Sequence, residues 1–154
     1  MVKEALKRIL VFLEEKDNNN IPFKWKLINN EPLTKEDLNV KGDLDLSGRN
    51  ITSLPEGLKV GGTLFIDNTK ITSLPEGLKV GDSLNLARTN ITSLPEGFKV
   101  GGVLNLARTN ITSLPKGLKV GGYMIINNTP LEKYTDDELR EMIKPGFIKR
   151  KIYR

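Results

Sequence analysis

The chain has 154 residues, enough for one domain with a buried core. It contains no cysteine and no histidine, which excludes disulfide staples, thiolate and imidazole metal sites, and Ser-His-Asp or Cys-His nucleophiles. The formal charge of +5 divides into an excess of 0 over residues 1–39, +3 over 40–131 and +2 over 132–154, so only Lys149–Arg154 approaches the density of a nucleic-acid-binding arm.

The first predicted element is an amphipathic helix over residues 2–16, with Val2, Leu6, Ile9, Leu10 and Leu13 on one face. Val11 and Phe12 lie off that stripe and read as a widened cap interface, or as a contact with a second copy or partner. The apolar run from Ile9 to Leu13 is far too short to span a membrane. Glu14, Glu15 and Lys16 stand where a signal peptide would carry a small-residue cleavage site, so a cytoplasmic protein without membrane contact is expected. Next, Phe23-Lys24-Trp25-Lys26-Leu27 alternates like a strand, and Thr34 followed by Lys35-Glu36-Asp37 resembles a helix start. Residues 1–38 form the expected N-terminal cap.

Residues 39–134 are a repeat. The string ITSLPEGLKVG begins at Ile51 and returns at Ile71, at Ile91 with Phe98 for leucine, and at Ile111 with Lys116 for glutamate, always 20 residues on. Leu44, Leu64, Leu84, Leu104 and Met124 form one apolar column, and Leu46, Ile66, Leu86, Leu106 and Ile126 another two residues later, the alternation of a strand with one buried face. Further columns begin at Ile51, Leu54, Leu58 and Val60. A single coil cannot bury six apolar residues, so stacking must supply the core, and a narrow solenoid tolerates the lean apolar fraction of 38%. Pro55-Glu56-Gly57 and its copies suit a type I turn. At the Gly-Gly corner, Asp82 replaces the second glycine, which places the expected positive φ at Gly42, Gly62, Asp82, Gly102 and Gly122. Thr69, Thr89, Thr109 and Thr129 are expected to bond the backbone at the bend after the strand, and Arg49 breaks that column at the edge.

In the C-terminal segment, residues 135–154, Thr135-Asp136-Asp137-Glu138 reads as a capping box. It opens a helix to about Lys144 with Leu139, Met142 and Ile143 buried, stopped by Pro145-Gly146 and followed by a basic tail. Purpose-built ends on both sides fit a complete protein. The tripeptides at Asn50, Asn90, Asn110 and Asn127 match the N-glycosylation pattern as by-products of the repeat.

The run Leu104-x-Leu106-x-x-Thr109-x-Ile111-x-x-Leu114-Pro115 resembles the leucine-rich repeat, with threonine where that family usually carries asparagine. The 20-residue period and the Leu-Pro step are similar to the short-repeat class of bacterial effector proteins. The string Pro-Glu-Gly-Leu-Lys-Val-Gly-Gly resembles small repeat proteins of bacteria and their phages. The likeness covers about residues 38–134, and Gly101 stands where the family pattern begins with leucine. It implies an α/β solenoid: five stacked coils, one parallel β-sheet backed by irregular chain, and helical caps at both ends. A right-handed β-helix is the alternative.

Function is expected where the coils differ. Asp45, Phe65, Asp67, Asn85, Arg88, Asn105, Arg108, Tyr123 and Ile125 point outward from the sheet, on the face that leucine-rich repeats usually offer to ligands, and they change from coil to coil. The resemblance therefore implies a non-catalytic module that binds a partner protein, an inhibitor or adaptor of a host enzyme such as a defence nuclease, with no cofactor. Two alternatives stand beside it: nucleic-acid binding through Arg88, Arg108 and the basic tail, and a structural or oligomer-forming element. A lysine row, Lys59, Lys79, Lys99 and Lys119, lies opposite, beside Glu56, Glu76, Glu96 and Lys116, and reads as a solvated face. Asp43, Asp45 and Asp67 cluster at one edge of a flat face, a setting that offers a cation or an acid-base pair no pocket.

Overall fold

The computed structural model describes residues 2–4, 7 and 23–154. The protein is a parallel β-solenoid with a 20-residue period, built from two-residue strands. β1 (Asn39–Val40), β3 (Lys59–Val60), β5 (Lys79–Val80), β7 (Lys99–Val100), β9 (Lys119–Val120) and β11 (Phe147–Ile148) pair in that order as one parallel sheet. β2 (Leu44–Asp45), β4 (Leu64–Phe65), β6 (Leu84–Asn85), β8 (Leu104–Asn105), β10 (Met124–Ile125) and β12 (Ile152–Tyr153) form the second. Equivalent residues stack in register, for example Leu64 on Leu84 and Val60 on Val80.

The single sheet expected from the sequence is therefore two. The Lys-Val pair before each Gly-Gly corner is itself extended and hydrogen-bonded, Lys79 N–H to Leu58 C=O at 3.0 Å and Gly81 N–H to Val60 C=O at 2.8 Å. Two residues are too few to display the alternation by which a strand is recognised. In the second sheet Leu64 N–H donates to Ser83 C=O of the next coil at 2.9 Å.

The inward columns form one continuous core, with Leu46, Ile66, Leu86 and Leu106 all fully buried. The Gly-Gly corner between the sheets has a different cause from the one expected. Positive φ falls at Gly57, Gly77, Gly97 and Gly117, and at the column Gly48, Asn68, Arg88, Arg108 and Asn128, rather than at Gly42, Gly62, Asp82, Gly102 and Gly122. At the corner, a Cβ on Gly81 or Gly101 would collide with the carbonyl oxygen of the same glycine one coil earlier. Stacking distance, not backbone hand, demands glycine there. At the bend after the second sheet, Thr69, Thr89, Thr109 and Thr129 are buried, and each donates its hydroxyl proton to the carbonyl three residues back, as expected.

The helix expected over residues 2–16 lies outside the described residues apart from 2–4 and 7, which are helical and exposed, Val2 included. The expected strand at residues 23–27 is a helix, α1 (Phe23–Ile28), which packs Phe23 and Leu27 against the core. Its F-K-W-K-L pattern satisfies i, i+4 spacing as well as alternation, and burial of Phe23 with Leu27 decides for the helix. Lys26 bridges to Asp37 at 2.9 Å, and Thr34 and Asp37 exchange backbone-to-side-chain bonds in the single turn that leads into β1.

At the other end a 3-10 turn (Pro130–Lys133) leads into α2 (Asp136–Met142), opened by the Thr135/Glu138 capping box. Leu139 and Ile143 are buried. The segment read as a basic tail then supplies β11 and β12. Phe147 pairs with Lys119, and Ile152 with Met124, 28 positions apart where the earlier rungs are 20 apart. The helix replaces the Pro-Glu-Gly turn and lengthens that coil by about eight residues, which hides the rung from a search at fixed period. No helix among the described residues is long and apolar enough to cross a membrane.

Candidate functional site

The second sheet carries five of the nine expected contact residues, and the other four lie in the segments that flank its strands. Asp45, Phe65, Asn85, Asn105 and Ile125 stand in a single register column, continued by Tyr153 on β12. Flanking this column are Asp67, Arg88 and Arg108 on the bend side and Tyr123 on the corner side. Phe65, Asp67, Asn85, Asn105, Tyr123 and Ile125 are half-buried, whereas Asp45, Arg88 and Arg108 are exposed.

Local hydrogen bonds divide the set. Asp45 accepts from Ser47 N–H at 2.9 Å, Asn85 from Ala87 N–H at 3.1 Å and Asn105 from Ala107 N–H at 3.0 Å, three copies of a side-chain turn that ends the strand. The Ser47 amide, with its hydroxyl, holds the Asp45 carboxyl below its ordinary value. Asp67 accepts from the Ser47 hydroxyl at 2.8 Å and from the amides of Asn85 and Asn68 at 3.0 Å, linking neighbouring rungs. Asp43 accepts from Thr63 N–H of the next coil. These carboxylates and amides are engaged in building the face. Among the described residues no group of acidic side chains is arranged to hold a metal ion.

Phe65, Ile125, Arg88 and Arg108 are not used this way. Their backbone amides or carbonyls join the ladder, but neither arginine's guanidinium has a hydrogen-bond or ion-pair partner among the described residues. Arg88 has φ of 57° and Arg108 of 56°, the left-handed region that disfavours a side chain with Cβ and suits the glycine or asparagine found at this position in the other coils. The two arginines sit one rung apart, about 4.8 Å between strands.

Tyr123 is turned toward the end of the stack. Its ring lies 5.3 Å from that of Tyr153, and Arg150 stacks over it with its guanidinium carbon 5.4 Å from the ring centre. These two residues, with Lys151 beside Tyr123 and Arg140 on α2, were not among the nine expected contact residues, although Arg150 and Lys151 belong to the basic tail named for the nucleic-acid alternative. The alternation Lys151-Ile152-Tyr153, exposed-buried-exposed, is the signal that identifies the strand.

On the first sheet, Lys59, Lys79, Lys99 and Lys119 project outward, and none lies within 4.0 Å of a carboxylate among the described residues. No family model, curated protein or solved structure matches the chain.

Proposed function

We propose that the outward face of the second sheet recognises a partner protein, and that the chain is a non-catalytic binding module of leucine-rich-repeat type acting in the cytosol. The observation that carries this reading is the pair Arg88 and Arg108. Each occupies left-handed backbone at a cost of roughly 1 kcal/mol relative to asparagine or glycine, and neither has a compensating partner among the described residues. A strained, exposed, unpartnered arginine pair is what an interface anchor looks like before its partner arrives. Phe65 and Ile125, half-buried on the same face, supply apolar contacts on either side. In this reading Asp45, Asp67, Asn85 and Asn105 shape the surface more than they bind. An inhibitor or adaptor of a host enzyme, of bacterial or phage origin, is the biological role that fits a small repeat module of this kind.

The test is affinity capture from the organism of origin, combined with a photoreactive residue at Asn105 on the proposed face or at Lys79 on the other sheet. One protein should be retained by the unaltered chain, lost with Arg88→Glu/Arg108→Glu, and crosslinked from residue 105 but not from residue 79. Capture indifferent to the charge reversal, or crosslinking from residue 79 alone, would sink the reading.

A second reading, nucleic-acid binding, draws on the lysine ladder, whose four ammonium groups lack carboxylate neighbours within 4.0 Å among the described residues. It demands retention on a polyanion that falls steeply with salt.

A further inference from the structure

We infer that the cleft at the C-terminal end of the second sheet binds a nucleoside phosphate, with a flat ring on its tyrosines and the phosphate on its cations. The cleft has a volume of about 550 Å³, within the usual range for a small-molecule site. Its floor is the outward side of the last two rungs. Tyr123 pairs with the Lys151 position across the strands, because Met124 N–H donates to Lys151 C=O at 3.1 Å. Tyr153 stands two residues on, on the same side, with buried Ile152 between them.

The charges in this cleft are arranged unevenly. Its acidic lining residue, Asp136, is already paired with Arg154 at 2.7 Å. Arg140 is likewise engaged, donating to the carbonyl oxygens of Ile148 and Arg150. Lys149 and Lys151 have no ion-pair partner among the described residues, and Arg150 meets only Tyr123, through its ring and at 3.4 Å from its hydroxyl. Three cations thus border a cleft whose lining carboxylate is spent, which sets up a positive field with no unpaired acidic residue among the lining to neutralise it. The aromatic half is equally open. Tyr153 is 46% exposed, and its ring is tilted 56° to that of Tyr123, so the two rings are not stacked face to face on one another. An anion alone would use the cations and leave the tyrosines idle; a neutral ring would do the reverse. A ligand carrying both uses the whole cleft. Aromatic stacking of a base and charge-assisted bonds to a phosphate are each favourable and sequence-tolerant.

This inference does not rest on the protein-recognition reading, since Arg88 and Arg108 take no part in it. The experiment is titration calorimetry at low salt with four probes: adenosine 5′-monophosphate, inorganic phosphate, adenosine, and a six-residue oligothymidylate. The monophosphate should bind at least tenfold more tightly than phosphate, and adenosine should give no heat. Comparable per-site affinity for the oligonucleotide would assign the source to single-stranded nucleic acid, and a much weaker one to free nucleotide; both support the site. Lys151→Glu and Tyr153→Ala, two exposed positions, should each weaken the monophosphate about tenfold or more while circular dichroism stays unchanged. Absence of heat with every phosphorylated probe overturns the inference. So does equal affinity for phosphate and monophosphate, or binding that ignores both substitutions.

Discussion

The two sheets share one core and face solvent quite differently. On the first, the outward residue is lysine in four consecutive rungs; on the second, Asp45, Phe65, Asn85, Asn105, Ile125 and Tyr153 follow one another without a repeat of chemical type beyond the asparagine pair. Inward, both sheets are monotonous, valine with Ile148 at the last rung on one and leucine, methionine or isoleucine on the other. Packing imposes the same demand on every coil, so inward columns converge. A solvated ladder of like charge serves any coil equally. The second sheet changes its outward residue from rung to rung through the middle of the stack, where the first keeps lysine, and it borders both the arginine pair and the terminal cleft.

The largest effect should come from the columns the sheets have in common. Leu104 is fully buried between Leu84 and Met124, so Leu104→Ala removes a side chain from a stack that cannot close around the gap. A loss of about 2–5 kcal/mol is expected, read as a lowered denaturation midpoint. A cost below about 1 kcal/mol would mean that neighbouring coils slide to fill the space and that the core does not act as one unit. By contrast, the outward neighbour Asn105 is expected to tolerate replacement far better.

A smaller effect separates the second sheet from the first. Only the second is followed by a buried threonine, and Thr89 donates its hydroxyl proton to Leu86 C=O at 2.7 Å just after the left-handed Arg88. Thr89→Val keeps the shape and deletes that bond, at about 1 kcal/mol. Leu86 C=O retains the Thr89 N–H at 3.3 Å, as Leu46 C=O retains the Arg49 N–H in the coil without threonine, so the bend should survive. Chemical denaturation checks the magnitude. A change near zero would show that the hydroxyl is ornamental and that the bend is held by the backbone alone.

The sequence displayed much of this architecture, and its silences have identifiable causes. The Leu64, Ile66 and Ile71 columns were legible because each recurs at a constant interval and has no tolerance for polarity. The Lys-Val strand was not, because two residues carry no period. Asp82 at the corner suggested left-handed backbone, yet its glycine neighbours answer to a carbonyl one coil away, a contact that exists only after stacking. The left-handed conformation of Arg88 and Arg108 runs against their own preference, and the signal for it lay in the other members of their column, Gly48, Asn68 and Asn128. Phe147, Ile148, Ile152 and Tyr153 fit the repeat columns, but α2 displaces them from the period. Of the proposed binding surface, the sequence indicated the face and its arginines; the terminal cleft needed the fold.

The smallest expected effect is an acid response at the N-terminal end of the stack, where both sheets begin. At the start of the second, the Ser47 amide and hydroxyl hold Asp45 below its ordinary value. Asp37, just before β1, is pushed upward by burial, but the Thr34 amide and the Lys26 ammonium outweigh this and leave it lowered as well. A carboxyl whose folded value is depressed stabilises the fold fully above its unfolded value, about 3.9, and loses that contribution as pH falls through the folded value. Stability should therefore be flat from pH 7 to about 5 with respect to these two groups and decline below about 4. The Asp37→Asn/Asp45→Asn variant should be less stable than the unaltered chain at pH 7, with the gap closing toward pH 3. Thermal melts at pH 7, 5 and 3 measure it. A gap of constant size would mean that shape, not charge, is what these carboxylates contribute at the end of the stack where the acidic part of the second face begins.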